Sequence, residues 1–296
     1  MSGKDLIAEH IELIILFGTI AFAANWIALK KDFYRLQASS KLGDKSLSIM
    51  QVIWVFAIYL GTLMALVPIL SKIIYAVSKH SNPLKTGISF ATVGWLQFTG
   101  IILAMCFLYL FCRRQDPIKM KKIWKDDTYP DSRSIAFDFG FGLMTWLISF
   151  PVIAVIGQIT DLIVYLIFGV VTYEQVAVRY LKMALGSPAM LVVALFVILL
   201  AAPVIEEFLF RGFLQTWFKQ HVGQKAAILL AALCFACFHL APSQGVGNIS
   251  LAASLFVFAC FLGFIYERQG SLFAPIGLHM AFNAVSAFRI LFVVES

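Results

Sequence analysis

Residues 189–212 read AMLVVALFVILLAAPVIEEFLFRG. The stretch up to Ile205 carries no charge, and its length approaches the ~20 apolar residues that a helix needs to cross a bilayer core. Glu206 and Glu207 then arrive together, and Arg211 follows within the same apolar run. Such a run is a membrane span with ionisable groups inside it. The rest of the chain agrees. Of 296 residues, 61% are hydrophobic and 13% charged, where a soluble domain has roughly 45–50% and about 25%. The mean hydropathy is +0.88. A chain this apolar cannot cover a water-facing surface, and disordered, collagen-like and disulfide-rich secreted folds are excluded on the same numbers. The expected fold class is all-α, a polytopic helical membrane protein.

Apolar runs of spanning length cover 11–29, 49–77, 88–112, 135–171, 189–218, 224–240, 249–266 and 271–294. The fourth would suit one tilted helix or two short spans broken near Gly157–Asp161; taken as one, it makes about eight transmembrane helices. The net charge of +7 lies in the gaps, at Lys30, Lys31 and Arg35 and again at Arg113, Arg114, Lys119, Lys121, Lys122 and Lys125. That is the pattern of the positive-inside rule rather than of a nucleic-acid patch. It puts loops 30–48 and 113–134 in the cytoplasm and both termini outside. The first run follows Asp5, Glu9 and Glu12 and ends before Lys30-Lys31, which suits a retained anchor better than a cleaved signal. The basic segment 113–134 reads as a linker closing an N-terminal three-span region, 1–134, ahead of a second region, 135–296. The five cysteines fall in or at the edges of apolar runs, so no disulfide framework is expected. The partners implied are membrane lipid and no nucleic acid. The localisation is that of a multi-pass integral membrane protein, in the cell membrane if the source is prokaryotic.

Ionisable groups deep in spans are functional candidates because each is costly there. Glu207 and Arg211, at i and i+4, share a helix face and can pair, which assigns them structural support. Glu206 is turned about 100° away and has no partner on its own helix. A carboxylate left alone in apolar surroundings holds its proton more tightly and can serve as a general base near neutral pH. Pro203 leaves the carbonyl of Leu199 without its usual donor and bends the helix. The sixth run ends at His239, four residues after Phe235; the eighth carries His279 and Asn283 at i and i+4. If runs five and six form a hairpin at Gly223, Glu206 and His239 lie level, each about 24–26 Å from the turn. His279, only ~14 Å past Gly270, can join them if run five protrudes beyond the membrane. Asp138 and Asp161 read as interfacial or helix-capping groups, and His10, His80 and His221 as solvated span ends.

Taken together, Glu206-Glu207-x-x-x-Arg211, Phe235-x-x-x-His239 and His279-x-x-x-Asn283, in that order on successive spans, resemble the signature of the CAAX prenyl protease and bacteriocin-processing family of intramembrane proteases. The resemblance covers about 189–294. It implies that 135–296 is a CAAX-protease-like membrane catalytic core. It also implies that Glu206 and His239 activate a water, and that His279 and Asn283 stabilise the oxyanion. The implied substrate is a lipidated or membrane-anchored protein or peptide. A zinc ion would take Glu206, His239 and His279. No metal is favoured, because His-Glu-x-x-His is absent and a ligating Glu206 is lost as a free base. The rival readings are a proton-coupled transporter using the same groups as a relay and a catalytically silent membrane scaffold.

Overall fold

The computed structural model describes residues 3–36, 46–81, 89–129, 133–169 and 176–292. Parts of the basic loops on which the orientation rests, among them Lys41, Lys45 and Lys85, lie outside the described residues. So do the ends of the runs at 88, 170–171 and 293–294. The described chain is helical throughout: α1 (Gly3–Lys30), α2 (Ile49–His80), α3 (Phe90–Cys112), α4 (Pro117–Trp124), α5 (Ile135–Phe168), α6 (Val176–Ala184), α7 (Pro188–Val222), α8 (Gln224–Phe238), α9 (Gly247–Gln269) and α10 (Phe273–Phe292). Seven of these are long and apolar enough to cross a membrane. The remaining apolar run, the sixth, folds as α8, which has 15 residues and rises only ~22 Å. Run 135–171 is one helix of 34 residues that passes through Pro151 unbroken, so the two-span alternative is excluded. The protein is a polytopic all-α membrane protein.

Local chemistry sets the helix ends. Ser48 caps α2 through a reciprocal capping box with Gln51, and Ser134 accepts from Phe137 N–H at the start of α5. Asp116 caps α4, whose first residue is Pro117. Gly223 separates α7 from α8 with φ +79°, and Gly270 closes α9 with φ +61°, backbone conformations that favour glycine.

Helix α5 is the spine: α1, α9 and α10 all pack on it. Helix α7 takes α2 and α3 on one side and α8, α9 and α10 on the other. The second and third spans therefore touch α7, which carries the first motif. Where α5 meets α10 the backbones nearly touch. A Cβ on Gly142 would collide with the Ala274 carbonyl, and one on Gly277 with the Phe139 carbonyl. Membrane helices, which gain little from hydrophobic exclusion, associate through this kind of small-residue contact. Asp138 is not an interfacial cap. It is fully buried, with Lys125 Nζ 2.6 Å away, because an isolated buried carboxylate is too costly. His10 is not a purely solvated end either, since its Nδ1 lies 2.6 Å from Gln158 Oε1 of α5.

Gly277→Ala and Gly142→Ala should each cost about 1–3 kcal/mol through overpacking. Both should lower the unfolding midpoint of the purified protein, while Gly18→Ala, which meets nothing within 4 Å, should leave it unchanged.

Candidate active site

Helix α7 is irregular where its charges sit. Two widened, π-type segments, Val197–Ala201 and Phe208–Gln215, bracket the short α-helical stretch Ala202–Glu207. Such π-bulges often mark functional sites. Each wide turn shifts the faces that follow it, so that Glu206 and Glu207 point to neighbouring helices instead of lipid.

Glu206 faces the end of α8 and the middle of α10. Its Oε2 lies 3.5 Å from His239 Nε2 and 3.9 Å from His279 Nε2. The level placement expected from the Gly223 hairpin is what the structure has. Helix α7 spans 35 residues, ~52 Å, far beyond a ~30 Å bilayer core, and this length lets the shorter arm of α10 reach the same point. Glu206 is thus flanked by two imidazoles and is not a lone carboxylate. Tyr59 of α2 lies beside the site, its ring centroid 6.4 Å from that of Phe238 at the end of α8. Tyr59 is a contribution from the N-terminal spans that no motif signalled.

Both histidines are oriented from behind. His239 stands just past the last turn of α8, and its Nδ1 lies 2.8 Å from the Phe235 carbonyl. His279 Nδ1 lies 2.7 Å from Glu207 Oε1. A carbonyl can only accept, so His239 Nδ1 carries a proton, and its Nε2 is the nitrogen that faces Glu206. The carboxylate of Glu207 orients His279 in the same way. Glu207 also pairs with Arg211 at 3.2 Å, both side chains fully buried. Arg211 in turn donates to the Ala259 carbonyl at 3.1 Å and stacks on Phe235 at 4.6 Å. The Glu207–Arg211 pair expected from their spacing is present, but Glu207 has a second job on His279 that spacing within one helix could not reveal.

The exposed fractions of the side chains are graded. Glu207 and Arg211 are at 0%, His279 at 6%, Glu206 at 12% and His239 at 28%. The inner half of the cluster holds charge in a fully enclosed setting, while the outer half is partly uncovered. Asn283 stands apart from these contacts, its Nδ2 donating to the Ile198 carbonyl of α7 at 2.8 Å.

The polar face of α7 continues beyond the site. Gln215 Nε2 donates to the Gly263 carbonyl at 3.0 Å and to Glu267 Oε1 at 3.1 Å. Lys219 Nζ reaches Glu267 Oε2 at 3.1 Å. Gly263 makes room, because a Cβ there would meet the Gln215 amide.

Glu206 Oε2 and the two Nε2 atoms are donors of the kind a catalytic zinc takes, with outer acceptors of the kind that orient zinc-bound histidines. Among the described residues, however, no group of three His, Cys, Asp or Glu side chains is arranged to hold a metal ion.

Residues 188–285 match the family model of the Rce1-like type II CAAX prenyl endopeptidases. No curated protein and no solved structure matches the chain. The matched segment coincides with the three motifs and with α7–α10, about a third of the chain. This segment is therefore similar to a family of endopeptidases.

Arg211→Met should cost about 3–5 kcal/mol, because it strips a buried carboxylate of its cation, and should lower the unfolding midpoint sharply. Lys121→Met breaks a pair with Asp127 whose side chains are 73% and 54% exposed and should leave the midpoint where it was. Equal effects would show that Arg211 is not holding Glu207.

Proposed function

We propose that this protein is an intramembrane endopeptidase that hydrolyses a peptide bond in a lipidated or membrane-anchored protein or peptide. The observation that carries the reading is the convergence of Glu206 Oε2 with the Nε2 atoms of His239 and His279 at 3.5 and 3.9 Å. That trio is held in an otherwise apolar bundle, within a segment that matches a protease family.

In this reading a water occupies the space between Glu206 and the two imidazoles. Glu206, with His239 Nε2 beside it, removes a proton, and the oxygen attacks the scissile carbonyl carbon. The carbonyl π pair moves to its oxygen. That oxyanion is met by His279, which is protonated on both nitrogens and gives Nδ1–H to Glu207 and Nε2–H to the developing charge. Collapse of the intermediate breaks the C–N bond, and Glu206 returns its proton to the leaving nitrogen. The products are a carboxylic acid and an amine, which ionise when the acid passes its proton to the amine, and no covalent enzyme intermediate is required. Glu207 and Arg211 act at one remove, by holding His279.

The substrate class follows from where the trio sits. The site lies among spans whose outer faces are apolar, with Trp54, Ile69 and Leu200 exposed. A substrate already anchored by a lipid or an apolar segment reaches such a site by diffusion within the bilayer. The reaction uses no metal in this proposal.

The test is cleavage of a farnesylated or membrane-anchored peptide by purified protein in bilayers. Glu206→Gln and His239→Ala should each lower turnover by about 10²–10⁴-fold with the unfolding midpoint preserved; undiminished turnover in both would end the protease reading. Activity should survive chelation, and a loss that zinc restores would replace the metal-free scheme.

A further inference from the structure

The hydrogen-bond register of α7 identifies a carbonyl that the helix itself cannot satisfy. At the first wide turn the Ala202 N–H reaches back five residues to the Val197 carbonyl. In the same register the N–H of residue 203 would serve Ile198, but residue 203 is proline and has no N–H. In that register the Ile198 carbonyl gains no N–H from residue 203. In an α-helical register residue 203 would face the Leu199 carbonyl instead. Inside a bilayer such an orphan is expensive, because no water reaches it. The donor that fills the gap comes from another helix, since Asn283 Nδ2 of α10 lies 2.8 Å from the Ile198 carbonyl.

We propose that Asn283 is a positioning residue that replaces the missing N–H of Pro203 and so fixes the wide turn of α7 ahead of Glu206. The turn matters because adding or removing one residue per helical register rotates all that follows by about 100°. Without it Glu206 would swing away from His239 and His279. The same bond fixes α10. Asn283 and His279 are four residues apart and share a face, so α10 is pinned to α7 twice, at Ile198 and at Glu207, with Pro203 and Glu206 between the pins. The backbone lock stands on this geometry alone; its effect on hydrolysis rests on the protease reading above.

The experiment is a double-mutant cycle of Asn283→Ala and Pro203→Ala in the full chain. Unfolding midpoints and peptide-cleavage kinetics are both measured, because alanine at 203 restores the backbone donor. Asn283→Ala should lower the midpoint and reduce kcat at least tenfold, with KM within about twofold. The double variant should recover most of the midpoint and bring kcat to within a few-fold of Pro203→Ala alone. Strictly additive effects on stability would overturn the lock. A recovered midpoint without recovered kcat would show that the carboxamide touches the reacting atoms, as an oxyanion donor, and would end the positioning role. If Asn283→Ala does not fold, rescue of folding by Pro203→Ala supports the proposal, and failure to rescue overturns it. If the unmodified protein cleaves no peptide, the protease reading fails while the stability cycle still decides the lock.

Discussion

A fully buried carboxylate in a membrane protein is retained only if its charge is compensated, and Glu207 is compensated from two different helices. Arg211, one turn along α7, supplies the cation, and His279 of α10 supplies a second donor. Arg211 is itself tied to α9 through the Ala259 carbonyl and to α8 through the face of Phe235. One ionic group thus fastens four helices together. Breaking a buried pair costs far more than forming it returns. The arrangement is accordingly better understood as fixing one unique packing of α7–α10 than as a source of net stability. The position of Glu206 is inherited from this fastening, being the next residue on the same helix.

The polar seam beyond Arg211 extends that logic along the helix. Gln215 and Lys219 follow at four-residue steps and meet Gly263 and Glu267 of α9. The wide segment Phe208–Gln215 keeps these side chains against α9 for longer than a straight α-helix would. Glycine at 263 lets the Gln215 amide approach a carbonyl instead of meeting a methyl group. Between membrane helices such polar contacts are individually modest. Their value here is register, because each one is satisfied only if α7 and α9 slide to the same relative height.

Much of this was legible in the sequence, and the limits are physical. Composition and run length determine a helical membrane protein without reference to any partner. The Glu207–Arg211 pair is local, fixed by i, i+4 geometry. The meeting of Glu206 with His239 could be read because a short turn at Gly223 reduces it to counting residues. What could not be read depends on contacts distant in sequence or on register. The bond from His279 to Glu207 joins residues 72 apart. Tyr59 arrives from a span with no motif. Lys125 converts Asp138 from an expected interfacial cap into a buried partner. The bond from Asn283 to the Ile198 carbonyl depends on a wide turn of α7 that propensity rules, which assume an α register, do not give.

The gradient of burial across the cluster reconciles two requirements that oppose each other. A base, an oxyanion donor and a water must act in a low-dielectric site, where electrostatic interactions are strong, yet water and a polar peptide bond must still arrive there. Complete burial would give the first and forbid the second. Here Glu207 and Arg211, which exchange nothing with substrate in the proposed scheme, are the fully enclosed members. His239, beyond the last turn of α8, is the most open. Because α8 is the short helix of the bundle, its end falls at the depth of Glu206 and does not continue past it. The truncation of α8 at Phe238 thus leaves His239 the least covered member of the site, while Glu207 and Arg211 stay enclosed.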